Sequence, residues 1–260
     1  WMAQNGFTMP SRFQMSLRSD ALRLWSRPAV RWTIALGVLV AVTLTYTVAA
    51  HSGHFFSLRR ELLEYHRNLC RGLTTFSVFL GATCVAPDFS SGSLAARVTW
   101  EADRRIVVVA RLCVAAVASS MLTLVALVLS TGAVFAAAAL NSNVGRLDAS
   151  WWLEVVASGL RGCVGAFAVG AVAASLAFLV KSTGMVMGVY VLTGFVQSVG
   201  VGQFLDPFGI ATIVMTAQRR VHGHSYSIAH AWGWWFAGLV AWVLFASAGA
   251  VVRFDRMDVT

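Results

Sequence analysis

The chain has 260 residues, 58% of them hydrophobic and only 12% charged, with a mean hydropathy of +0.71. This composition excludes an ordinary water-soluble globular domain and marks a polytopic membrane protein. The net charge of +9, nearly all of it from arginine, would point to nucleic acid in a soluble protein; in a membrane chain it speaks first of topology, and no nucleic-acid partner is assigned.

Ahead of the first apolar run stand Arg12, Arg18, Arg23, Arg27 and Arg31 against a single acid, Asp20. The positive-inside rule therefore puts the N-terminus in the cytoplasm. Phe13, Leu17, Ala21 and Leu24 recur at helical spacing, with most arginines off that stripe and Pro28 ending it. This predicts an interfacial amphipathic helix over 10–31, held by anionic lipid or by a docking partner.

About 20 apolar residues at 1.5 Å rise cross a bilayer. Six runs qualify: 33–50, 73–86 extended back to 69, 112–140, 162–180, 184–204 and 231–252. The first follows no small-residue cleavage pattern and is expected to be a retained span. Six crossings return the C-terminus to the cytoplasm, and basic residues then divide twelve inside to eight outside.

Between spans 2 and 3 lies DFSSGSLAARVTWEADRRI, 88–106. Ser91 or Ser93 can cap a short helix whose Leu94, Ala95, Val98 and Ala102 share one face. Arg97 and Arg104 lie off that face, and Glu101 precedes Arg105 in the favourable i,i+4 order. Span 3 is too long for one crossing and should project from the bilayer.

In span 4, Gly162, Ala166, Gly170 and Ala174 recur every four residues, and span 5 contains Gly184-Met-Val-Met-Gly188. Both patterns predict close helix packing. Asp206-Pro207 is a helix-start signal, predicting a short outer helix over 206–221 that is apolar enough to dip into the membrane edge.

Cys70, Cys84, Cys113 and Cys163 fall in or beside spans without a CxxC pair, so they read as buried single thiols. His51, His54, His66, His222, His224 and His230 are expected in or next to outer loops, and no metal or haem site is assigned. No acid sits at mid-membrane to couple transport to protons or sodium. The only lysine, Lys181, follows Val180, so there is no phosphate-binding Gly-Lys-Ser/Thr loop, and neither G-x-S-x-G nor H-E-x-x-H occurs. No catalytic or cofactor-binding residues are assigned to this chain.

In this order the elements resemble the type-2 ATP-binding-cassette (ABC) exporter permeases, all-α polytopic membrane proteins with six transmembrane helices. That family's loop between spans 2 and 3 carries an acidic residue, a Gly-Thr/Ser-Leu turn, a short helix and a basic element. Here Asp88 takes the acidic place, Gly92-Ser93-Leu94 the turn, Arg104 and Arg105 the basic element, and Arg111-Leu112 the start of span 3. The family's proline is absent, with Glu101-Ala102 where it would stand.

The resemblance implies a single permease domain over 1–260 in the bacterial cytoplasmic membrane, paired with a second permease subunit as homo- or heterodimer. It implies a coupling loop, 88–105, that seats on a separate cytoplasmic ATPase subunit holding ATP and magnesium. The coupling residues would be Asp88, Ser91, Gly92, Ser93, Leu94, Ala95, Arg97, Val98, Glu101, Arg104 and Arg105. The cargo would be an amphiphilic drug, lipid or peptide moved outward.

Polar residues within spans, Thr43, Tyr46, Thr74, Ser77, Thr193 and Gln197, could line its path, or their hydroxyls could bond backbone within their own helices. Two other classes stay open: a lipid-modifying enzyme built on the outer histidines with Asp148, Glu154 and Asp206, and a structural subunit of a larger membrane complex.

Overall fold

The computed structural model describes residues 12–51, 58–94, 103–140, 148–198, 206–221, 224–228 and 230–256. The chain opens with α1, Arg12–Ser26, whose Ser16, Asp20 and Leu24 are buried while Leu22 and Trp25 stand exposed. A single residue, Arg27, separates it from α2, Pro28–His51. The helix expected over 10–31 is thus a junction of two helices. Proline has no N–H to lose at a first helical position and a preset φ, so Pro28 opens the span as well as closing the amphipathic segment.

There follow α3, Leu58–Thr83, and the short α4, Ala86–Ser90. The longest helices are α5, Arg104–Leu140, and α6, Ala149–Val180. Beyond them lie α7, Thr183–Ser198, and α8, Pro207–Thr216. A hairpin of β1, Gln218–Val221, and β2, His224–Ser227, leads into α9, Trp232–Asp255.

Among the described residues five helices are long and apolar enough to cross a membrane, spanning Pro28–Ala50, Leu62–Ser90, Arg104–Leu140, Ala149–Val180 and Trp232–Asp255. This is the makeup of a multi-pass membrane protein. The fifth expected span, 184–204, differs: α7 has 16 residues and is about 24 Å long, short of a ~30 Å hydrocarbon layer. Its expected continuation, 199–204, lies outside the described residues.

The helices start earlier than apolar runs alone indicate. Arginine, glutamate and leucine are good helix formers, so Arg-Arg-Glu-Leu-Leu-Glu extends α3 back to Leu58 although it is too polar to count as span. His66, expected in or next to an outer loop, is consequently inside α3, 3% exposed, with Nε2 2.9 Å from Thr131 Oγ1 on α5.

The expected helix over 206–221 also stops early. Ala217 adopts a left-handed conformation, φ 51°, and 218–221 pairs antiparallel with 224–227. A carbonyl freed at that break, that of Ala217, accepts from the N–H of Ile228 at 3.1 Å, which closes the hairpin. At the front of α8, Asp206 Oδ1 accepts from the Phe208 N–H at 3.0 Å with Pro207 in the first turn. The helix is enclosed by the bundle: nine of its ten residues are buried. Met215 packs against Gly165 of α6, and its sulfur lies 3.7 Å from the Thr74 hydroxyl of α3.

Small residues set the packing of α6. A Cβ on Gly162 would stand 2.8 Å from Cys70 Sγ, and one on Gly170 would stand 2.8 Å from the Ala115 carbonyl oxygen of α5. Gly81 of α3 is as tight, 2.6 Å from the Gly170 carbonyl. Here backbones approach closely enough for dispersion to hold helices together without a hydrophobic driving force. The Gly184 and Gly188 pair differs from expectation: among the described residues, outside its own helix backbone, no heavy atom comes within 4 Å of a Cβ at Gly188.

One end of the bundle gathers α1, α4, the start of α5 and the end of α9. Arg105 Nε meets Asp255 Oδ2 at 3.0 Å, and Lys181 Nζ, after α6, lies 5.5 Å over the Phe89 ring of α4. Arg111 belongs to this end, and Thr131 stands 20 residues, about 30 Å, further along α5. The rest of α5 continues about 14 Å beyond Thr131, where Phe135 stacks on Trp152 at 5.8 Å. That overhang accounts for the excess length of span 3.

Candidate functional site

Asp88 sits in the first turn of α4, directly after Pro87. Its side chain is almost wholly buried and reaches two arginines far apart in the sequence. Oδ1 pairs with Arg27 Nη2 at the α1–α2 break, and Oδ2 pairs with Arg111 Nη1 of α5 at 2.5 Å. Arg27 also donates from Nη1 to the Thr83 carbonyl at 2.5 Å, and Arg111 Nε lies 3.6 Å from Asp20 Oδ1 of α1.

This junction joins three segments far apart in sequence. Charges out of water are stable only when paired and hydrogen-bonded, so each member holds the others in place. A void of about 10 Å³, room for one water, lies among Asp20, Arg23, Arg27, Asp88 and Arg111. Counting those five, three positive charges face two negative ones.

The loop leaves the junction through a second set of bonds. Ser93 Oγ donates to Asp88 Oδ1 at 2.9 Å, and Ser91 Oγ donates to Ser93 Oγ at 3.1 Å. Gly92 lies between them at φ +67°, a conformation that costs any residue with a Cβ about 1–2 kcal/mol. Phe89 anchors α4 edge-on to Phe178 of α6 at 6.0 Å, and Phe178 meets Phe254 of α9 at 5.5 Å.

The sequence-derived coupling residues divide accordingly. Asp88, Ser91, Gly92 and Ser93 are together at the junction. Leu94 is 2% exposed in the chain's own core, so it anchors the loop, and its side chain is not available to a partner. Ala95, Arg97, Val98 and Glu101 lie outside the described residues. Arg104 and Arg105 belong to the first turn of α5 and bind the end of α9, Arg104 through the Asp255 carbonyl at 3.5 Å.

Asp20 and Arg27 were missed by sequence reasoning. Their signals were present: Asp20 is the sole acid among five arginines, and Arg27 immediately precedes the proline that separates two helices.

The six expected path residues do not meet in one cavity. Thr43 and Tyr46 lie on the exposed side of α2, whereas Thr74 and Ser77 are buried. Thr74 Oγ1 donates to the Cys70 carbonyl at 3.0 Å and Thr193 Oγ1 to the Tyr190 carbonyl at 2.9 Å, both within their own helices. The side chain of Gln197 is outside the described residues.

A different polar set emerges on α3, where Glu64, Asn68, Gly72 and Thr75, at helical spacing, are all exposed. Thr75 Oγ1 is 3.0 Å from Tyr190 Oη of α7. Asn68 lines a cavity of about 270 Å³ between α2 and α3, together with Thr45 and Tyr65. Polar groups uncovered on a membrane-length helix need a neighbouring chain, water or a ligand.

Among the described residues no three His, Cys, Asp or Glu side chains converge as a metal site. Cys70 and Cys84 are buried free thiols. No family model matches the chain, and no curated protein matches it.

Proposed function

We propose that this chain is the membrane-spanning subunit of an ABC exporter in a bacterial cytoplasmic membrane. A separate ATPase subunit supplies ATP and magnesium, and a second permease subunit completes the path. The carrying observation is the attachment of the 86–94 loop through Asp88 to Arg27 and Arg111 together. A push on that loop is delivered to α1, α2 and α5 at once, which is what an element driven from outside requires.

Two further features support the reading. The C-terminal end of α9 meets the start of α5 through Arg105 and Asp255, and α1 meets the same part of α5 through Asp20 and Arg111, which supports an even number of traverses. Six crossings follow if α7 and the segment after it supply the one that five long helices leave open, with both termini cytoplasmic. The exposed stripe Glu64, Asn68, Gly72 and Thr75 then faces the second subunit and lines the route of an amphiphilic cargo.

The test is affinity purification in mild detergent combined with transport by Asp88→Asn. A nucleotide-binding subunit should accompany the chain, and the variant should lose transport while still assembling with it. The reading fails if no such subunit accompanies the chain and Asp88→Asn exports as well as the native protein.

A further inference from the structure

Between α1, α2 and α5 runs an apolar cavity of about 400 Å³, within the range of sites that hold a small ligand. Leu17 and Ala21 of α1 roof it, Val30 and Ile34 of α2 form one wall, and α5 from Cys113 to Val125 forms the floor. The 12 helical steps from Cys113 to Val125 give it a length of about 18 Å. No charged side chain lines it.

Charge gathers just beyond one end of it. Leu24 and Val114 border both this cavity and the small void of the ionic junction, where Arg23, Arg27 and Arg111 outnumber Asp20 and Asp88 by one. Arg27 and Arg111 are engaged by carboxylates, whereas Arg23 is exposed and, among the described residues, has no ion-pair partner. Arg18 and Arg31, next in sequence to the lining residues Leu17 and Val30, are exposed as well. An apolar slot as long as an acyl chain, ending beside an exposed cation, matches an amphiphile with an anionic head.

We infer that an anionic phospholipid occupies this cavity, its acyl chain along α5 beneath α1 and its phosphate on Arg23. The lipid fills the space under α1 and neutralises the excess charge of the junction, so it fastens α1 to the bundle. The site depends on neither nucleotide nor cargo and stands apart from the transport reading.

The full chain, purified from nanodiscs of equal parts phosphatidylglycerol and phosphatidylcholine, is examined by native mass spectrometry for retained lipid. Phosphatidylglycerol should be retained in preference. Arg23→Ala should cut that preference about fivefold, the effect of one basic residue at a charged membrane surface. Ala118→Trp, which fills the slot, should lower retention of both lipids, with Val125→Trp as a second filling variant if the first misfolds by circular dichroism.

Equal retention of the two lipids by the native chain overturns the inference, as does a preference unchanged in Arg23→Ala and in a folded filling variant. A filling variant that dissociates a dimer while leaving lipid retention intact would make the slot a contact between copies and overturn it equally.

Discussion

Arg111 of α5 and Asp88 of α4 meet at 2.5 Å with only 2% and 8% of their side chains exposed. Removing one partner leaves the other charge buried, since Asp20 stands 3.6 Å from Arg111 and cannot take over a short bond. Asp88→Asn should cost about 3–5 kcal/mol. The double variant Asp88→Leu with Arg111→Met, which removes both charges, should cost less than Asp88→Asn. Thermal melts in detergent of both variants check this ordering.

Gly92 predicts a smaller, local effect. Its backbone lies at φ +67° and no described residue comes within 4 Å of a Cβ there, so Gly92→Ala adds strain without a clash among the described residues. Stability should fall by about 1–2 kcal/mol, and Gly92→Asn should fall less, because asparagine tolerates this conformation better. On the proposed function, either variant should lower the stimulation of the partner's ATPase before it lowers assembly, which a coupled ATPase assay separates from pull-down.

At Gly81 the constraint is space. A methyl there would stand 2.6 Å from the Gly170 carbonyl and 2.9 Å from Ala173 Cβ, both fixed parts of α6. Gly81→Ala should destabilise by about 1–3 kcal/mol through overpacking. Gly188→Ala meets nothing within 4 Å among the described residues and should be neutral or gain up to about 1 kcal/mol of helix propensity. Comparing the two melting temperatures distinguishes a packed glycine from a free one; a loss at Gly188 as large as at Gly81 would reveal that a neighbouring chain covers it.

The hydroxyls of Thr75 and Tyr190 bridge α3 and α7 on a face that the chain leaves uncovered. Tyr190→Phe keeps the ring edge-on to Phe208 at 5.4 Å and removes only the bond. Stability should change by about 0.6 kcal/mol. If this face lines the route, cargo affinity or rate should shift while ATPase docking does not. Transport and pull-down measured on the same preparation test this.

Most of the architecture could be read from apolar runs because lipid leaves few choices: a crossing segment must be helical and long. Asp206-Pro207 marked α8 because a cap is a local event, complete within three residues. Partners are not local. Nothing in the sequence ties Asp20 to Arg111, 91 positions away, and only the folded chain brings them together. Composition was equally blind to the surroundings of Pro207–Thr216, since a helix buried among helices is as apolar as one facing lipid. The hairpin eluded periodicity because Gln-Arg-Arg-Val and His-Ser-Tyr-Ser do not alternate apolar with polar residues.

The burial of α8 also constrains how the chain is made. A helix enclosed on nearly every side meets no acyl chains in the finished protein, so partition into the bilayer cannot by itself bring it to its place. Thr74 of α3 and Gly165 of α6, which receive Met215, are synthesised well before it. The earlier helices must therefore leave a vacancy when they emerge, and α8 closes it late. Substitutions that narrow that vacancy, at Gly165 above all, should arrest assembly during biogenesis more severely than they weaken a protein already complete.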